Sequence, residues 1–150
     1  IVIATAGSQK KLEKASELGA RFGINYNEES IDEGTRRITE GRGADVCIEM
    51  VGGRVLQESI RALAHNGRIA TCGAHAGEKV EIDMIEFFRK QVTLSSNHFS
   101  PKANNIKALK LVADGAVKPV IAKTFILEEM AEAHRYLASR NFFGKVVLEV

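Results

Sequence analysis

Cys72-Gly73-Ala74-His75 has the C-x-x-H spacing of half a metal site, with His98 as an imaginable third ligand. Zinc takes four ligands in structural sites, or three and a water in catalytic ones, and these scattered side chains make no such set. Glu49 stands in the otherwise apolar run Asp45-Val46-Cys47-Ile48-Glu49-Met50-Val51. A buried carboxylate needs a partner, so Glu49 either faces a crevice or caps a neighbouring backbone amide. Ser8 precedes Lys10 and Lys11 where a β-branched run turns into a charged helix. None of the thirteen glycines completes a G-x-G-x-x-G phosphate turn. Gly41-Arg42-Gly43 comes closest, but it precedes a strand and reads as a helix-to-strand turn. His65 and His134 fall on expected helices, as surface or boundary residues.

The elements that must position these groups alternate. Ile1 to Ala6 reads as a strand broken at Gly7, followed by a helix with Ser8 as N-cap, Leu12, Ala15 and Leu18 inward, and Gly19 as its stop. A short strand at Ile24-Asn25-Tyr26 leads to a helix from Glu28 to about Glu40, which Gly34 weakens by roughly 1 kcal/mol relative to alanine. The run from Asp45 to Val51 is apolar on both faces except at Glu49, as in a central parallel strand. A helix from Arg54 to Ala64, a strand from Arg68 to Cys72, a segment Val80-Glu81-Ile82, a helix from Met84 to Lys90 with Ile85 and Phe88 inward, and a strand from Val92 to Ser96 follow. Ser100-Pro101 should start a helix with the hydroxyl as N-cap and Ile106, Leu109 and Val112 as its apolar face. A strand from Lys123 to Leu127, a helix from Glu128 to about Ala138 and a strand from Lys145 to Val150 complete the chain. Such alternation predicts an α/β fold, a parallel sheet covered by helices, with ligands beyond the carboxyl ends of the strands.

At 150 residues, one domain buries roughly 70% of its unfolded surface without staples. A net charge of +2, from 21 basic and 19 acidic side chains, provides no field for nucleic acid or an anionic membrane. Cys47 and Cys72 lie in expected strands, which suits reduced core thiols in a cytoplasmic protein. No signal peptide or transmembrane run is visible. A chain opening on Ile1, already inside a strand, is expected to be a piece of something longer.

Thr5-Ala6-Gly7-Ser8, Glu17-Leu18-Gly19-Ala20, Ile24-Asn25-Tyr26, Gly41-Arg42-Gly43-Ala44-Asp45, Val51-Gly52-Gly53, Gly67-Arg68, Cys72-Gly73, Ala131-Glu132-Ala133-His134 and Gly144-Lys145-Val146-Val147-Leu148 occur in one order over the whole chain. Together they resemble the medium-chain dehydrogenase/reductase superfamily, which includes zinc-type alcohol dehydrogenases and quinone oxidoreductases. The resemblance implies a Rossmann-type doubly wound sheet, incomplete because the first strand and its glycine-rich turn are absent. It divides the chain into a partial dinucleotide-binding domain, 1–120, and a segment returning to the substrate domain, 121–150. The implied activity is hydride transfer between a nicotinamide cofactor and a small carbonyl, alcohol or enone, with any zinc held upstream in the N-terminal domain.

By the same resemblance, no carboxylate occupies Thr5 to Ser8, where members preferring NAD carry one. Ser8 and Lys11 can instead receive an adenosine 2′-phosphate, so NADP(H) is favoured over NAD(H). Val51 and Gly52 lie at the cofactor crevice, Cys72, Gly73 and Ala74 pass the nicotinamide, Ser95, Ser96 and Asn97 meet its carboxamide by backbone, and Lys145 reaches the phosphates. The strand from Val92 to Asn97 would be outermost and pair with its copy in a homodimer. A non-catalytic nucleotide-binding or regulatory module is the alternative. Against it, in the strand order 3-2-1-4-5-6 an absent first strand leaves two apolar edges unpaired in mid-sheet.

Overall fold

The computed structural model describes residues 1–98 and 100–150. They form two compact units, Ile1–Phe99 and Ser100–Val150. The first contains β1 (Ile3–Ala6), α1 (Gln9–Glu17), β2 (Phe22–Asn25), α2 (Ile31–Ile38), β3 (Ala44–Glu49), α3 (Gly53–Ala62), β4 (Leu63–Thr71), α4 (Met84–Arg89) and β5 (Thr93–Ser96). Every strand pairing is parallel. β1 pairs with β2, while β3, β4 and β5 form a separate sheet in that order. The break between β1 and β3 falls where the order 3-2-1-4-5-6 puts its first strand.

The exposed residues follow from that break. Cys47 and Glu49 point from β3 towards the face that α3 covers, where Ile60, Leu63, Ile69 and Val92 form the core with Leu56, Ile82 and Phe87 against it. Val46 and Ile48 point to the other face and are 63% and 68% exposed. A parallel strand normally has both faces covered by helices, and β3 has one.

α2 and α3 hold the two sheets in one unit. Ile31, Val55 and Ala62 form a buried cluster at their contact, with Tyr26 and Val51 packed on it. Ser30 occupies the N-cap position of α2, yet its side chain makes no capping bond. Instead the Ile31 amide donates to the Glu58 carboxylate of α3 at 2.9 Å. Glu58 is buried and paired with Arg54 at 3.0 Å. A carboxylate at a helix N-terminus also complements the helix dipole. Gly34 costs α2 propensity, but it lets the helix approach the fully buried Ile24, whose side chain would lie 3.0 Å from a Cβ there.

The second unit contains α5 (Lys102–Ala113), β6 (Ile121–Ile126), a 3₁₀ turn (Leu127–Glu129), α6 (Met130–Ser139) and β7 (Lys145–Glu149). β6 and β7 pair in parallel, and Phe125, Tyr136 and Phe142 form a ring series beside them. The boundary between units precedes α5, whereas the family-based division at 120 follows it.

Several local expectations are corrected. α3 ends at Ala62 and the chain passes directly into β4, with Asn66 at φ 61°, so His65 lies on a strand, where it is exposed. In α4, which Asp83 caps by accepting from the amides of Ile85 and Glu86, Ile85 and Phe88 are exposed, while Phe87, with Ile82 before the helix, packs against the core of Ile60 and Val92. At α5 the N-cap position is Pro101, with no side-chain capping bond from Ser100. Ile106, Leu109 and Val112 are exposed. Cys72 is exposed rather than a core thiol, since it lies just beyond β4.

Glu58→Ala should therefore lower the unfolding free energy by about 1–3 kcal/mol, the cost of a buried amide left without its acceptor. Ser30→Ala, which removes no capping bond, should change it by less than about 0.5 kcal/mol. Urea unfolding of the two variants compares them directly.

Candidate functional site

The parallel ladders align the carboxyl ends of β3, β4 and β5. Glu49 is in register with Thr71, and Thr71 with Ser96. The backbone continues this alignment past the strands: the Cys72 amide donates to the Glu49 carbonyl at 3.2 Å, and the Asn97 amide donates to the Thr71 carbonyl at 3.0 Å. Ser95 Oγ donates to the Ile69 carbonyl at 3.3 Å, so its hydroxyl is engaged within the sheet. Val51, Gly52, Cys72, Gly73, Ala74, Ser95, Ser96 and Asn97 thus lie along one ledge.

Two loops close the ledge at β3 and β4. Gly52, with φ 77°, is in a region that costs an L side chain, and a Cβ there would lie 2.6 Å from Ala74 Cα. The Ala76 amide donates to the Val51 carbonyl at 2.7 Å, and the Gly53 amide to the Gly77 carbonyl at 3.0 Å. Beneath them, Glu49 is only 3% exposed. Its Oε1 accepts from the Val51 amide at 2.6 Å and the Gly52 amide at 2.8 Å, and its Oε2 accepts from the Thr71 hydroxyl at 3.1 Å. Of the two readings of Glu49, the backbone cap is the one observed.

The other sheet carries Ser8 and Lys11. Ser8 is the N-cap residue of α1 in extended conformation, its side chain making no capping bond. Its backbone carbonyl accepts from the amides of Lys11 and Leu12 at 3.1 and 3.3 Å. Sequence reasoning overlooked Tyr26 and Asn27 here. A Cβ on Gly7 would lie 3.0 Å from the Tyr26 ring, and Asn27 Nδ2 donates to the Gly7 carbonyl at 2.8 Å. No local pattern marks them: only the parallel register, which pairs Ala6 with Asn25, brings the next residues, Gly7 and Tyr26, together. Arg54 Nη2 donates to the Tyr26 carbonyl at 2.8 Å, tying this corner to the start of α3. Lys145 lies in the second unit, exposed at the start of β7, where its amide donates to the Val120 carbonyl at 2.8 Å.

Burial pushes the Cys47 thiol up from its ordinary value, and the nearby charge of Glu49 acts the same way, against a hydrogen bond with Ser59. At the far end of β3, the hydrogen bond from Arg42 holds the exposed Asp45 carboxyl below its usual range. Among the described residues no three His, Cys, Asp or Glu side chains come together as a metal site, so Cys72 and His75 do not grow into a zinc ligand set. No helix among the described residues is long and apolar enough to cross a membrane. Chemically, the ledge offers backbone groups and small side chains to an extended ligand.

Residues 18–148 match the family model of zinc-binding dehydrogenases. Quinone oxidoreductase-like protein 2 of Bos taurus is 30% identical over 99% of this chain and 45% of its own length. A 2-haloacrylate reductase of a Burkholderia species is 32% identical over 98% of this chain and 47% of its own. Among solved structures, an NAD-dependent alcohol dehydrogenase superposes with a TM-score of 0.90 at 38% identity, over 99% of this chain and 43% of that one. The chain therefore spans a little under half the length of the relatives it matches.

The two thiols should differ in reactivity. At pH 8, iodoacetamide should alkylate the exposed Cys72 at least ~10-fold faster than Cys47, whose thiolate is disfavoured by burial. Peptide mapping of a labelling time course measures both rates.

Proposed function

Because this chain belongs to the zinc-binding dehydrogenase family of the medium-chain dehydrogenases and reductases, we propose that it is the dinucleotide-binding part of an NAD(P)-dependent oxidoreductase. The substrate of the whole protein is a small carbonyl, alcohol or enone, and the compartment is the cytoplasm, in keeping with two free thiols. The observation that carries this reading is the ledge at the carboxyl ends of β3, β4 and β5, where an open α/β sheet binds its ligand.

A bound nicotinamide supplies the hydride chemistry, and the protein supplies position and electrostatics. In this reading Val51 and Gly52 lie against the adenosine half. Cys72, Gly73 and Ala74 flank the nicotinamide, and the backbone of Ser95, Ser96 and Asn97 orients its carboxamide. Ser8 and Lys11 receive an adenosine 2′-phosphate, with Tyr26 completing that corner, so NADP(H) is preferred over NAD(H). No step here depends on a metal held by the described residues.

β5 is an edge strand whose residues Thr93 to Ser96 are all exposed, which supports a homodimer built by pairing β5 with its copy. A non-catalytic nucleotide-binding module is disfavoured by the broken sheet and by the exposed Val46 and Ile48, which make a poor free-standing surface. Hydride transfer by the full-length protein separates the two readings, since a module binds cofactor without turnover.

Calorimetric titration of the 150-residue chain with NADPH and with NADH tests the cofactor assignment. Saturable binding that favours NADPH is expected, and Lys11→Ala should weaken NADPH by about 3- to 10-fold with NADH little changed. A preference for NADH would overturn the 2′-phosphate reading, and binding of neither would mean that the function belongs to the longer protein and not to these 150 residues alone. Light scattering that found only monomers would remove the dimer.

A further inference from the structure

We infer that Glu49 is the positioning residue of the dinucleotide crevice, fixing the turn from Val51 to Gly53 and joining it to the end of β4. This rests on the dinucleotide reading above and adds to it the group on which the shape of the ledge depends. Glu49 is at the last position of β3, and its carboxylate serves three donors: the Val51 amide, the Gly52 amide and the Thr71 hydroxyl. At 3% exposure it does not reach a ligand on the ledge.

The geometry shows what the carboxylate does. After β3 the chain must turn sharply into α3, with Gly52 at φ 77° and Gly53 at φ 53°. The Val51 and Gly52 amides turn down onto one oxygen, Oε1, and away from the ledge. Oε2 is held by Thr71, in register with Glu49 on the neighbouring strand, so the turn and the β4 end move as one piece. Backbone hydrogen bonds from Ala76 to Val51 and from Gly53 to Gly77 then seat the loop after β4 on that turn. Hydrogen bonds to a charged acceptor are worth more than neutral ones, and here three converge on one buried group.

A second consequence concerns ligand charge. Successive backbone amides in a glycine-containing turn commonly form a concave anion site. In this turn the Val51 and Gly52 amides already point at an internal carboxylate, so they are unavailable to a phosphate. The ledge at this point therefore takes an uncharged part of the ligand.

The test compares the full-length protein with its Glu49→Gln and Thr71→Val variants, reading NADPH affinity by calorimetry, amide exchange at Val51 and Gly52 by mass spectrometry, and the urea midpoint. Gln keeps the size of the side chain but loses its charge and one acceptor oxygen. Affinity per folded molecule should fall about 10-fold and exchange at the two amides should rise at least ~10-fold, in both cases beyond what the change in urea midpoint accounts for. Thr71→Val frees one oxygen of Glu49 without touching the turn and should act in the same direction by about 3-fold; it decides the matter if Glu49→Gln does not fold. A folded variant with lower stability but native affinity would make Glu49 a purely structural residue and overturn the inference. Failure of the native protein to bind any dinucleotide would instead overturn the functional reading, and the inference with it.

Discussion

Two parallel sheets joined by no strand ladder are held in one unit by the contact between α2 and α3, and Glu58 is at its centre. Its carboxylate accepts the Ile31 amide and pairs with Arg54, while Arg54 also donates to the Tyr26 carbonyl. One buried charge thus caps a helix, fixes a second helix against it and anchors the loop after β2. The apolar cluster of Ile31, Val55 and Ala62 supplies the burial, and the carboxylate supplies the register. Without this contact Ser8 and the ledge beside Val51 would belong to independent bodies.

Glu49 plays a comparable part at the ends of the strands. A carboxylate in an apolar strand is costly unless fully satisfied, and Glu49 has the acceptor capacity for the three donors that the β3 turn and β4 present. The two buried glutamates therefore have the same logic. Each gives orphan amides at a helix or turn entrance a strong acceptor from within the fold. A site of this kind suits a cofactor that brings its own chemistry.

The exposed apolar face of β3 is the other side of the same construction. Val46 and Ile48 have the side chains of a strand covered on both faces, yet only the face of Cys47 and Glu49 has a helix on it. Their composition is that of a central strand, and the break in the sheet beside β3 agrees with it.

The sequence by itself determined the alternation of strands and helices, the parallel class of the sheet and the family, because these depend on local periodicity, glycine punctuation and ordered motifs. It also marked Glu49 as anomalous, since a lone carboxylate in an apolar strand is visible without coordinates. Only the tertiary structure decided which donors that carboxylate serves, because Thr71 is 22 residues away and meets it through strand register. The same holds for α2, whose first amide, Ile31, is capped by Glu58, 27 residues downstream. It holds too for α4, where Ile85 and Phe88 fit a helical stripe but Phe87 is the residue that packs on the core, and for Tyr26, which becomes part of the Ser8 corner only when β1 and β2 align. Local pattern fixes which elements form, whereas partners across elements depend on register and packing, which sequence spacing does not encode.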